Sequence, residues 1–252
     1  LIGGVFGVLA GHFYFYDALA LNLFGLLLQI VANIFDNADG QLARLTAQQT
    51  RTGRILDAVI DHIMWLSIYL HLALRLQLAG HSEAIWFLAL AAGLSHGVQA
   101  VAADYCRNVY LYFAKGRREF DSAEAIQREY NQKNPGQIWS KLLFWLYLNA
   151  AREQEFLFPR LKQLLEQATQ IALPDTIRSS YAASASPMFR WWQFLMTNTR
   201  MFLLLVLFLA HQPVWYFWLE ISIGNFLLVY LVQQQEKLAA SLSRLIAQNA
   251  DA

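Results

Sequence analysis

Three stretches of this chain, residues 19–35, 84–103 and 201–219, carry no Asp, Glu, Lys or Arg over nearly the length of a membrane-crossing helix. A backbone inside a bilayer must satisfy its own N–H and C=O groups, and a helix does so within one segment. About 20 apolar residues cross the hydrocarbon core. Such runs therefore predict an all-α, polytopic membrane protein. The chain is 57% hydrophobic and only 15% charged, against roughly a quarter charged in soluble domains. Its net charge of +1 names no partner and gives no sign of nucleic-acid binding. The lone cysteine, Cys106, excludes an intrachain disulfide framework.

Apolar runs and turn residues together predict six transmembrane helices, near 1–16, 19–35, 53–78, 84–113, 188–210 and 214–232. The first run is short, and is read as the remainder of a span that begins before this sequence. No basic region or cleavage site precedes it, so no signal peptide is read. Residues 1–252 are taken as one transmembrane catalytic domain. Within it, 114–187 form a charged, amphipathic insertion between the fourth and fifth spans. Asn134-Pro135-Gly136 marks a turn. Residues 137–172 show apolar positions at helical spacing, broken near Pro159, and predict one or two amphipathic helices. Either these lie in the membrane interface, anchored by Trp139 and Trp145, or they pack on the protein's own cytosolic face. Residues 174–187, rich in Ser and Ala between prolines, read as a linker, and the chain after 232 as a polar tail. Of the 19 Lys and Arg, Arg75 falls at an outer end and Arg200 inside a span. The others share one face with the aspartates described next, and the positive-inside rule places that face in the cytoplasm.

The stretch from Asp36 to Asp61 reads D-N-A-D-G-Q-L-A-R-L-T-A-Q-Q-T-R-T-G-R-I-L-D-A-V-I-D. Asp36 and Asp39 stand at i, i+3, and Asp57 and Asp61 at i, i+4. On helices, each pair shares a face. Gly40, Ala43 and Gly53 keep the backbone nearby open to a close approach. Carboxylates at a bilayer border are costly unless hydrated, paired or bound to a cation, and like charges raise the cost. An all-oxygen set without His or Cys suits a hard divalent ion, Mg²⁺ or Mn²⁺.

The pattern D-x2-D-G-x2-A-R-x8-G-x3-D-x3-D resembles the signature of the CDP-alcohol phosphotransferases, integral membrane enzymes of phospholipid synthesis. Every fixed position is present: Asp36, Asp39, Gly40, Ala43, Arg44, Gly53, Asp57 and Asp61. The resemblance implies a CDP-linked donor, an alcohol acceptor and two metal ions. Donors in that family include CDP-diacylglycerol, CDP-choline, CDP-ethanolamine and CDP-inositol. Acceptors include inositol phosphate, glycerol phosphate, serine and diacylglycerol. It further implies that Asp36, Asp39 and Asp57 hold metal. Asp61 would act as general base and also touch metal. Asp39, Gly40, Ala43, Arg44, Gly53 and Asp57 would bind the nucleotide. A homodimer follows from the same resemblance; the active site is expected on the cytoplasmic face by the basic residues, in the cell or inner membrane if the source is bacterial. A divalent-cation transporter and an inactive membrane scaffold are the rival readings. The clustering of all four acids at one end of their spans opposes the first, and the intact motif opposes the second.

Other residues keep two readings each. Arg51 and Arg54 either bind an anionic acceptor or are solvated surface charge. Asp104 and Arg107, at i, i+3, either pair or line the acceptor pocket. His62 points about 100° from Asp61 on a helix and reads as a packing or interface residue rather than a catalytic one. His96 reads as a buried, hydrogen-bonded histidine rather than a ligand. Arg200 either pairs with Glu220 across the turn at His211-Gln212-Pro213 or meets substrate phosphate. Counted along the two helices, the depths of Arg200 and Glu220 differ by roughly 6 Å at 1.5 Å per residue, within reach of an arginine.

Overall fold

The computed structural model describes residues 2–48, 50–116, 122–134, 136–170 and 175–250. Among them every regular element is helical: α1 (Ile2–Tyr14), α2 (Leu19–Leu45), α3 (Arg51–Leu78), α4 (Ala84–Lys115), α5 (Ala123–Gln132), α6 (Ile138–Leu157), α7 (Pro159–Gln170), α8 (Asp175–Trp192), α9 (Thr197–Leu209), α10 (Trp215–Leu219) and α11 (Asn225–Ala250). Four helices are long and apolar enough to cross a membrane: Leu19–Leu45, Arg51–Leu78, Ala84–Ala114 and Trp215–Ile246. The broken pair Ile177–Leu195 and Thr197–Leu209 makes a fifth if it is one span. At 13 residues α1 is shorter than a complete crossing.

The chain divides into two compact units, residues 1–97 with 197–223 and residues 98–196 with 224–252. In the first, α1 packs against both α2 and α3, and its glycines allow it. A Cβ on Gly3 would stand 3.0 Å from the Ala32 carbonyl of α2, and one on Gly11 would stand 2.8 Å from the Ile68 nitrogen of α3. Gly4 and Gly7 likewise abut Ile60 and Met64. Backbones this close leave no room for a larger residue, as in other membrane helix pairs. Ser67 then donates to the Val8 carbonyl at 3.0 Å. At the far end of α3, buried Arg75 donates to Asn22 (2.9 Å), to the Tyr14 carbonyl (3.3 Å) and to Asp17 (2.5 Å). The one basic residue assigned to the outer end thus holds the turn between α1 and α2. Gly80, at φ +96°, turns the chain after α3, and His211, at φ 54°, marks the tight turn expected at His211-Gln212-Pro213.

The second unit contains the expected insertion as α5, α6 and α7, with the break at Phe158 and Pro159 as the spacing predicted. Pro135, in the expected turn, and Pro174, at the start of the expected linker, lie outside the described residues. Three boundaries differ from the sequence reading. Residues 175–187 are not a linker but the body of α8. Ile177, Tyr181 and Ala185, one turn apart, are buried, and this narrow apolar stripe is masked in the sequence by the Ser and Ala around it. The fifth run is not one helix from 188 to 210: it breaks at Met196, whose backbone is extended (φ −100°, ψ 164°), ahead of Thr197-Asn198-Thr199. The polar tail after 232 is also helix, because Leu231, Gln235, Ala239, Leu242 and Ile246 form a buried face. Gln235 donates to the Tyr181 hydroxyl at 2.6 Å. Glu236 accepts from the first free N–H groups of α7, Arg160 (2.9 Å) and Leu161 (3.0 Å), a carboxylate where a helix N-terminus favours one.

Candidate active site

The aspartates stand on two helices that α1 brings together. The sequence reading ended the second span near Phe35. In the structure α2 continues to Leu45, so Asp36, Asp39, Gly40 and Ala43 share one helical face. The residues before Asp36 are apolar and those after it polar, yet nothing breaks the helix until Thr46, and the chain turns at Ala47 (φ 53°). Thr50 starts α3 by accepting the Gly53 N–H at 3.0 Å on its hydroxyl. Asp57 and Asp61 follow one turn apart.

Gly3 of α1 lies against the backbone of Asp36, and Gly4 lies against Ile60, the residue before Asp61. The first turn of α1 therefore sits level with both aspartate pairs. The Asp57 carboxyl comes within hydrogen-bonding reach of Asp36 and lies in the field of Asp39. Two carboxylates so close repel each other unless a proton or a cation lies between them. Among the described residues no three His, Cys, Asp or Glu side chains form a ready metal cage. The donor set nonetheless fits Mg²⁺, which takes one or two carboxylates and completes its shell with waters and substrate phosphates.

Around the acids, Arg44 folds back along α2, its Nη1 about where a Cβ on Gly40 would touch it, at 3.4 Å. Ala43 is half-buried on the same face. Arg51 and Arg54 are half-buried in the first turn of α3. A Cβ on Gly53 would approach the Thr50 hydroxyl to 3.0 Å, so Gly53 serves the helix start as well as leaving space. Gly53→Leu should abolish CDP binding in a protein that still folds, losing about 1 kcal/mol from the disturbed cap. Calorimetric titration with CDP checks this, and normal affinity in the folded variant would restrict Gly53 to the cap.

Each remaining candidate has surroundings of its own. Asp104 and Arg107 are exposed on the part of α4 that belongs to the second unit, where Asn108 donates to Asp104 at 2.9 Å. His62 is exposed and its Nδ1 donates to the Ala58 carbonyl at 2.6 Å. His96 is buried as expected, with Nδ1 3.1 Å from the Tyr69 hydroxyl and its ring 4.5 Å from that of Trp65. Arg200 is engaged by Glu220 through two bonds, Nε to Oε1 at 2.8 Å and Nη2 to Oε2 at 3.3 Å, both residues buried. Of its two sequence readings, the structure holds the pair. The α1 glycines and Arg75 were missed as positioning residues, although a Gly3, Gly7, Gly11 repeat at i, i+4, i+8 was there to find.

Residues 3–114 match the family model described as CDP-alcohol phosphatidyltransferase. That segment, less than half of the chain, is similar to that family. The match takes in all but the first residue of α1, the whole of α2 and α3 and all but the last residue of α4, and with them every aspartate of the motif. No curated protein and no solved structure matches the chain. The description of that family is of a transferase that acts on a CDP-alcohol. Helices α5 to α11 lie beyond the matched segment.

Proposed function

We propose that this protein transfers a substituted phosphoryl group from a CDP-linked donor to an alcohol acceptor, releasing CMP, in phospholipid or related lipid synthesis. The observation that carries the reading is the approach of Asp57 to Asp36 and Asp39, across two helices set level by the glycines of α1, inside a segment that matches the family. Asp36, Asp39 and Asp57 would hold Mg²⁺ or Mn²⁺, with Asp61 at the edge of the same set. Bound there, two such ions supply positive charge to the diphosphate and to the departing CMP. Gly40, Ala43 and Gly53 leave room for the cytidine, and Arg44 orders the phosphates. Asp61 takes the proton of the acceptor hydroxyl as its oxygen attacks the β-phosphorus. The bond from that phosphorus to the CMP oxygen breaks, and the new phosphodiester stays with the acceptor.

The same reading takes six passages through the bilayer, adding α1 and the α8–α9 pair to the four long helices. It sets the aspartates at the cytoplasmic face, where the Lys and Arg gather. Arg51, Arg54, Asp104 and Arg107 remain its acceptor-side candidates. A homodimer stays part of it by family resemblance.

The test is CMP release from purified protein against a panel of CDP donors and alcohol acceptors. Release should require one donor and one acceptor together. EDTA should abolish it, and Mg²⁺ or Mn²⁺ should restore it. Silence across the whole panel would overturn the transferase reading, and full activity in EDTA would overturn the role given to metal.

A further inference from the structure

Helix α6 has two faces, and the fold uses only one of them. Phe144, Leu148 and Ala151 are buried within the second unit. Ile138, Trp139, Leu142, Trp145 and Leu146 fall within about a 120° arc at 100° per residue, and all five are exposed, Trp139 at 79% and Trp145 at 48%. With Lys141, Arg152, Glu153 and Glu155 along its length, α6 is not among the helices apolar enough to cross a membrane. Most of the apolar arc lies in the first half of the helix. Further along the same arc come Asn149, Glu153 and the exposed Phe156.

We propose that α6 lies in the plane of the bilayer surface, with the arc formed by residues 138–146 seated among lipid headgroups and the upper acyl chains. Three observations favour lipid over a protein partner. The apolar arc has a cation at its own end: Lys141, the residue before Leu142, sits with its ammonium 5.6 Å from the centre of the Tyr130 ring. An ammonium group beside an apolar arc matches anionic headgroups above acyl chains. The exposed aromatics on the arc are tryptophans, whose rings favour the membrane–water boundary. The second unit also holds parts of α4 and α11, which belong to spans. At 32 residues α4 is about 48 Å long, well beyond the roughly 30 Å hydrocarbon core. A bilayer therefore comes with the protein, and α6 needs no separate partner to cover its face.

The sole native cysteine, Cys106, is buried, so an engineered cysteine on the surface is the thiol open to labelling. Spin labels at Leu142→Cys and Trp145→Cys are compared with one at Glu166→Cys, a half-exposed polar site on α7. All three proteins are reconstituted into phosphatidylcholine vesicles with and without phosphatidylglycerol. The labels at 142 and 145 should be relaxed more by oxygen than by a water-soluble nickel chelate, and the label at 166 the reverse. Adding phosphatidylglycerol should deepen the first two, and Lys141→Gln should remove that deepening. Labels at 142 and 145 open to nickel would overturn the proposal. So would labels shielded from both reagents, the mark of a protein contact such as a second copy. Insensitivity to phosphatidylglycerol would overturn the part assigned to Lys141.

Discussion

Asp61→Asn should lose turnover by about 10²–10⁴-fold, the range a general base contributes, while keeping most of its metal-dependent affinity for the CDP donor. The amide has nearly the size of the carboxylate but does not take up the acceptor's proton. Asp61 lies one helical turn beyond Asp57 on α3, beside the set rather than within the approach that Asp57 makes to Asp36 and Asp39. Asp36→Asn, Asp39→Asn and Asp57→Asn should therefore differ from it in kind, each losing donor affinity together with rate. Two measurements on the same preparations separate the classes: equilibrium binding of CDP in the presence of Mg²⁺, and the rate of CMP release. An Asp61→Asn enzyme within about tenfold of the wild-type rate would remove the base from the mechanism.

The largest expected effect on stability comes from the pair inside the first unit. Arg200→Ala or Glu220→Ala should each cost about 3–5 kcal/mol, because either change leaves a buried charge without its partner. The double variant should cost clearly less than the sum of the two, since neither charge then remains. Thermal unfolding in detergent, read on all four proteins, gives the coupling. Strict additivity, with Arg200→Ala raising only the KM of one substrate, would return Arg200 to the acceptor site. The local backbone supports the paired geometry. Glu220 opens a π-helical segment, Glu220–Gly224, between α10 and α11. A wider turn of this kind re-aims side chains in an otherwise regular helix.

Much of the fold follows from local features. Among the described residues the apolar runs mark four helices able to cross, and the tight turn expected at His211 precedes the last of them. The aspartate spacing supplied the chemistry of the proposed site, four acids on two helical stretches. Gradual changes of composition were harder to read. Polar residues after Phe35 and after Val232 looked like helix ends, yet α2 runs on to Leu45 and α11 to Ala250. A helix there needs only one apolar stripe, and in α11 every third or fourth residue from Leu231 to Ile246 is buried among polar neighbours. The small residues of α8 hid the same pattern.

What the sequence by itself determined is the class of the protein and the identity of its acids: both rest on composition and on spacing within single helices, where residues three or four apart share a face whatever the rest of the chain does. What only the tertiary structure decided is which helix faces meet. Nothing in the spacing of Asp36 and Asp57 says that they approach, since their separation depends on how closely α1 packs against α2 and α3, and that closeness comes from Gly3, Gly4, Gly7 and Gly11 lacking side chains. Arg200 likewise kept two readings until its contact with Glu220 chose between them, because the register of two antiparallel helices is fixed by packing between them and not by the residues of either one.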